Sequence, residues 1–160
     1  MSKIKKVSKE ELELLSHKDC VRFALFCAEQ VKDGWKDISK CFVAIETAER
    51  WLEGKASAEE CRNATHVADA ARYAAHYANT TAYDAYYTAY AAAYAAYAAS
   101  AASDASDAAA YAYAAARAAH YATATYAAKK SHLIEAQWEY YLELLHFDDI
   151  AEKLLLGGVV

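Results

Sequence analysis

Two short stretches place an arginine, a histidine and a tyrosine within one or two helical turns of each other. Ala71-Arg72-Tyr73-Ala74-Ala75-His76-Tyr77-Ala78 is echoed, in looser form, by Ala116-Arg117-Ala118-Ala119-His120-Tyr121-Ala122. Arginine and histidine are four residues apart in the first copy and three in the second, so each pair shares a helix face. These groups donate hydrogen bonds and stack, but they include no activated nucleophile. The chemistry they fit is recognition: a polar pocket between facing helices, lined by Arg72, His76, Tyr77, Arg117, His120 and Tyr121. The alternative is purely structural, with each imidazole hydrogen-bonded inside the core and setting helix register.

Motifs for harder chemistry are missing from the sequence. The histidines show no HExxH and no i, i+4 pairing, and no glycine-rich loop stands ready to cradle phosphate. Cys20, Cys27, Cys41 and Cys61 have no CxxC spacing and read as reduced core thiols. No catalytic residue, metal or cofactor is therefore expected. Asp104 and Asp107 can share a face, but their serine-rich setting reads first as a helix cap. With Trp35, Tyr86 and Tyr140 they make the candidate surface for a protein partner.

The elements that must carry these groups are helices. The chain of 160 residues has no proline and four glycines, with 57% hydrophobic and 24% charged residues. That composition starves a β-sheet of turns and suits one packed domain. Net charge is −5, and the only basic clusters, Lys3, Lys5, Lys6 and Lys129, Lys130, are too small for a nucleic-acid stripe. The charged start carries no apolar signal core and no long apolar run spans a bilayer, so a cytoplasmic protein without nucleic-acid or membrane partners is expected.

Ser8-Lys9-Glu10-Glu11 reads as a capping box opening a helix to about Val31, with a break near Ser16–Asp19 and a stop at Gly34. A second helix covers Asp37 to Glu53 and ends at Gly54; Ser57-Ala58-Glu59-Glu60 reads as a second capping box and opens a third. Residues 82–128 are more than half alanine, and twelve of the fourteen tyrosines fall between Tyr73 and Tyr126. Tyr83, Tyr87, Tyr90, Tyr94 and Tyr97 form one stripe, while alanine on the other faces lets helices approach closely. One rod from Ser57 to Lys130 would have nothing to pack on. Breaks are therefore expected at Asn79-Thr80-Thr81, at Ser100–Asp107 and at Lys129-Lys130-Ser131, followed by helices from Ser131 to His146 and from Asp148 to Leu156. The expectation is a single-domain, all-α antiparallel bundle with Ala/Tyr-rich central helices, a disordered start over 1–7 and a frayed tail over 157–160.

Several stretches, in order, resemble the alanine-rich, all-helical immunity proteins of bacterial polymorphic-toxin systems. Asp19, Arg22, Ala24-Leu25, Cys27-Ala28-Glu29 and Val31 are similar to that family's opening helix. Ala44-Ile45-Glu46, Ala48, Trp51 and Gly54 resemble its second. Ala74-Ala75-His76, Ala118-Ala119-His120, Tyr126-Ala127-x-Lys129 and Glu135-x-x-Trp138 follow. The central part is richer in tyrosine than the family pattern, and Thr125-Tyr126 stands where a further histidine belongs. The resemblance implies a non-enzymatic protein that binds and blocks a toxin domain. A helical pocket protein sequestering a small molecule, or a homo-oligomeric structural module, are the alternatives from the residues themselves.

Overall fold

The computed structural model describes residues 5–31, 38–78, 83–103, 107–122 and 127–155. They form seven helices: α1 (Lys9–Leu12), α2 (His17–Gln30), α3 (Ile38–Leu52), α4 (Ala58–Ala78), α5 (Tyr83–Ser103), α6 (Ala108–Ala122) and α7 (Ala127–Leu155). No strand occurs among the described residues. This is the all-α multi-helix bundle that the composition demands.

Helix α5 is the hub. Apolar residues run right around it, which marks a helix buried on most sides, and it packs on α2, α3, α4 and α6. Ala91, Ala95 and Ala98 of α5 and Ala108, Ala112, Ala115 and Ala119 of α6 are almost completely buried. Their 4,3-type spacing makes two methyl stripes. A second seam consists of four alanines only: Ala44 of α3, Ala64 of α4, and Ala93 and Ala96 of α5. The other half of the core is conventional, with Leu12, Leu15, Phe23, Leu25, Leu133, Ile134 and Leu144 around Tyr141. The tyrosine stripe resolves into a stack over the alanine half. Tyr90 and Tyr94 lie 4.3 Å apart, and Tyr97 stacks at 5.2 Å on Tyr111 of α6. Their rings are half-buried, neither sealed in nor fully wet.

Local signals set most helix ends. Ser8 Oγ accepts from the Glu11 amide at 3.2 Å and Glu11 Oε1 accepts from the Ser8 amide at 3.3 Å, a complete capping box. Ser16 caps α2 through the Asp19 amide, and Asp107 caps α6 through the Ala110 amide at 3.1 Å. Ser57 caps α4 through the Glu60 amide, but Glu60 does not return the bond. Its carboxylate goes to Arg50 of α3, 3.3 Å away. Gly54 ends α3 with φ +75°. The Lys55 amide donates to Arg50 O and the Gly54 amide to Trp51 O, the paired bonds of a Schellman stop.

Two expected helix breaks are absent. No break occurs at Lys129-Lys130-Ser131 or before Asp148; α7 is continuous from Ala127 to Leu155. Lysine is a good helix former, and the side chains of Lys129, Lys130 and Ser131 are exposed or half-exposed, where they need no cap. Of the start expected to be disordered over 1–7, residues 5–7 are described. Val7 is 3% exposed, and Lys5 pairs with Glu11 and lies over the Trp138 ring. Gly34 and the junctions at 79–82, 104–106 and 123–126 lie outside the described residues, as does the 157–160 tail.

At Gly54 an added Cβ would meet nothing within 4 Å, so only the backbone conformation opposes a side chain. Gly54→Ala is expected to lower unfolding free energy by about 1 kcal/mol, the left-handed penalty. Chemical denaturation measures it, and an unchanged midpoint would contradict the assigned stop.

Candidate functional site

Helix α6 has two characters. Its methyl stripe faces the core, while Tyr113, Arg117 and Tyr121, spaced one turn apart, face outward and His120 sits at the border. Arg117 Nη2 donates to the Tyr121 hydroxyl at 2.6 Å. Its guanidinium lies 5.8 Å from the Tyr113 ring and 5.5 Å from the Tyr121 ring. Stacking and this hydrogen bond hold the arginine in place without neutralising it.

Arg117, His120, Tyr121 and Tyr113 form one wall of a cavity of about 370 Å³. Lys6 and Val7 close it from the lead-in, and Lys130 from α7. No carboxylate lines it among the described residues. Elsewhere Lys5, Lys9, Arg22, Arg50 and Lys55 each reach an acid. Lys6, Arg117 and Lys130 do not, among the described residues, and neither do the exposed Lys18 and Lys129. A shallower apolar groove of about 210 Å³, lined by Tyr90, Tyr94, Ala114 and Ala118, shares Tyr113, Arg117 and Tyr121 with the cavity.

The imidazole behind this cavity is tied into a buried polar relay. His120 Nε2 lies 2.8 Å from Gln137 Oε1, Gln137 Nε2 donates to Gln30 Oε1 at 3.0 Å, and Gln30 Nε2 donates to Leu133 O at 3.1 Å. A main-chain carbonyl can only accept, so the relay has one polarity and His120 carries its proton on Nε2. Burial holds the His120 pKa below the usual histidine value; the Gln137 bond opposes this, and Lys6, Lys130 and Arg117 add to the depression. The imidazole is thus held neutral beside three cations.

Compared with known protein families, curated proteins and solved structures, the chain matches none.

Of the residues read from the sequence, the fold brings Arg117, His120 and Tyr121 together. The side chains of Arg72, His76 and Tyr77 lie outside the described ones. Their helix, α4, packs on α3 and α5, whereas α6 packs on α5, α2, α1 and α7. Trp35, Asp104 and the Tyr86 side chain also lie outside the described set. Asp107 is a helix cap that also pairs with Lys9 at 3.2 Å; the cap amide and the lysine hold its carboxyl below the usual range. Tyr140 is half-buried and stacks at 4.4 Å on Phe26. All four cysteines are buried and none is in a disulfide; burial pushes the Cys27 thiol well up and Cys61 up to about 11, which keeps both protonated.

The glutamines and lysines of the site were missed. Gln137 falls in register with Leu133, Ile134, Tyr141 and Leu144, and a lone amide in an apolar stripe was the available signal. Because the His120 pKa is lowered on folding, the unfolded chain takes up a proton there first. The stabilisation is present above the ordinary value of 6.5 and is lost as pH falls from there through the folded value. His120→Gln keeps a donor for Gln137 and removes this titration. Denaturation between about pH 7.5 and pH 5.5 is expected to show a shallower loss of stability for the variant than for the wild type. Equal slopes would contradict the assignment.

Proposed function

We propose that this chain is a non-enzymatic cytoplasmic binding protein that neutralises a toxin domain by direct contact. Its contact face comprises the 5–7 lead-in, the outer side of α6 and the start of α7. The observation that supports this is the gathering of Lys6, Arg117 and Lys130, none matched to an acid among the described residues, on a chain of net charge −5. Like charges held together repel, and an acidic partner surface relieves that repulsion while steering encounter. The adjoining tyrosines offer rigid rings that lose little entropy on binding. The immunity role itself comes from the resemblance of the helical elements, whose described members build the scaffold: Asp19 pairs with Arg22, Gly54 stops α3 and Trp138 stacks on Tyr141.

One observation favours a second reading, small-molecule sequestration at the same place. The cavity volume of about 370 Å³ lies within the range of roughly 300–1,000 Å³ typical of ligand pockets.

Co-expression with a toxin encoded beside its gene is expected to restore growth and yield a co-purifying complex. Reversing charge at the face, with Arg117→Glu and Lys130→Glu together, is expected to weaken that complex about tenfold or more while helical content stays unchanged. Absence of both rescue and complex would refute the toxin-binding reading.

A further inference from the structure

The cavity and the tyrosine groove share the wall formed by Tyr113, Arg117 and Tyr121, yet they offer opposite chemistry. On the cavity side stand Lys6, Arg117 and Lys130, without an acid among the described lining. On the groove side Tyr90 and Tyr94, stacked on each other, and the methyls of Ala114 and Ala118 give an apolar lining. The Tyr121 hydroxyl engages one of the guanidinium's five N–H donors, the Tyr113 hydroxyl bears on it as a second, weaker acceptor, and the two rings flank its plane. The remaining donors present the fork that matches the oxygens of a phosphate or carboxylate. A bare anion would leave the groove empty, and an uncharged ring would leave three cations uncompensated. A ligand with both parts fills both halves.

We propose that this composite site takes one phosphate or carboxylate group carried on a flat aromatic ring, with the anion among Lys6, Arg117 and Lys130 and the ring against the Tyr90–Tyr94 lining. The proposal deepens the binding-face reading and rests on it for location alone. The same chemistry arrives either as a free aryl anion or as an acidic group beside an aromatic side chain on the partner.

Isothermal titration of the full chain with phenyl phosphate, inorganic phosphate and phenol tests it without any mutation. Phenyl phosphate is expected to bind about tenfold tighter than either half alone, to weaken as salt rises, and to shift the NMR signals of Arg117 and the groove tyrosines. Arg117→Gln, an exposed substitution, is expected to lower phenyl phosphate affinity about tenfold at unchanged melting temperature. Phenyl phosphate binding no tighter than inorganic phosphate, or binding that ignores Arg117→Gln, would overturn the proposal. Competition between phenyl phosphate and a toxin domain shows the group to be displayed by the partner; simultaneous binding shows a free ligand. A toxin complex that depends on Arg117 while no probe binds sinks this inference and leaves the contact-face reading standing. Probe binding without any toxin complex does the reverse.

Discussion

How closely methyl-bearing helices approach one another governs the rest of this protein. Alanine contributes little apolar area per residue, so a bundle built on it is stable only if the backbones draw together and leave no voids. The stripes on α5 and α6, and the four-alanine seam among α3, α4 and α5, meet that demand. Among the largest fully buried side chains, the bulkiest are Tyr141, Phe23 and Leu12, all on the α1, α2 and α7 side. Close approach carries one half of the molecule and ordinary side-chain volume the other.

That division explains where recognition groups gather. A helix that spends one face on methyls has room for large polar side chains on the face it turns away. Helix α6 does this: Ala112, Ala115 and Ala119 go inward, and Tyr113, Arg117 and Tyr121 go outward. His120 joins the two, bonded through Gln137 to Gln30 of α2. The relay fixes how α7 sits on α2 and α6, and α7 in turn delivers Lys130 to the cavity. Capping plays a similar part at the other edge, because the Ser8 box and the Lys5–Glu11 pair hold the lead-in that carries Lys6.

What could be read from the sequence follows the range of the interaction. Ser8, Ser16, Gly54 and Asp107 act within four or five residues; in the sequence, helix ends are legible at Ser8, Gly54 and Asp107, and at Ser16 only as a break near Ser16–Asp19. The same local logic misread Lys129-Lys130-Ser131, because a polar cluster marks a break only if its side chains have a cap to make. In α7 they are exposed or half-exposed and the helix continues. Arg117, His120 and Tyr121 were legible as a group because one helix carries all three. Gln30 and Gln137 were not, since the register between α2 and α7 is fixed by the packing of the whole bundle. Lys6 and Lys130 each belong to a basic pair or triplet too small to signify alone, and only the fold adds them to Arg117. Helices α4 and α6, which carry the two echoing stretches, both pack on α5.

The fold stands or falls on whether the alanine stripes are sites of tight packing. Thermal and chemical unfolding of Ala95→Leu and Ala112→Leu, both fully buried, against Ala114→Leu on the half-exposed groove side, decides it most directly. Overpacking is expected to cost each buried variant about 1–3 kcal/mol, with Ala114→Leu within about 0.5 kcal/mol of the wild type. Buried variants as stable as the wild type would show loose seams and contradict close helix approach as the basis of the fold.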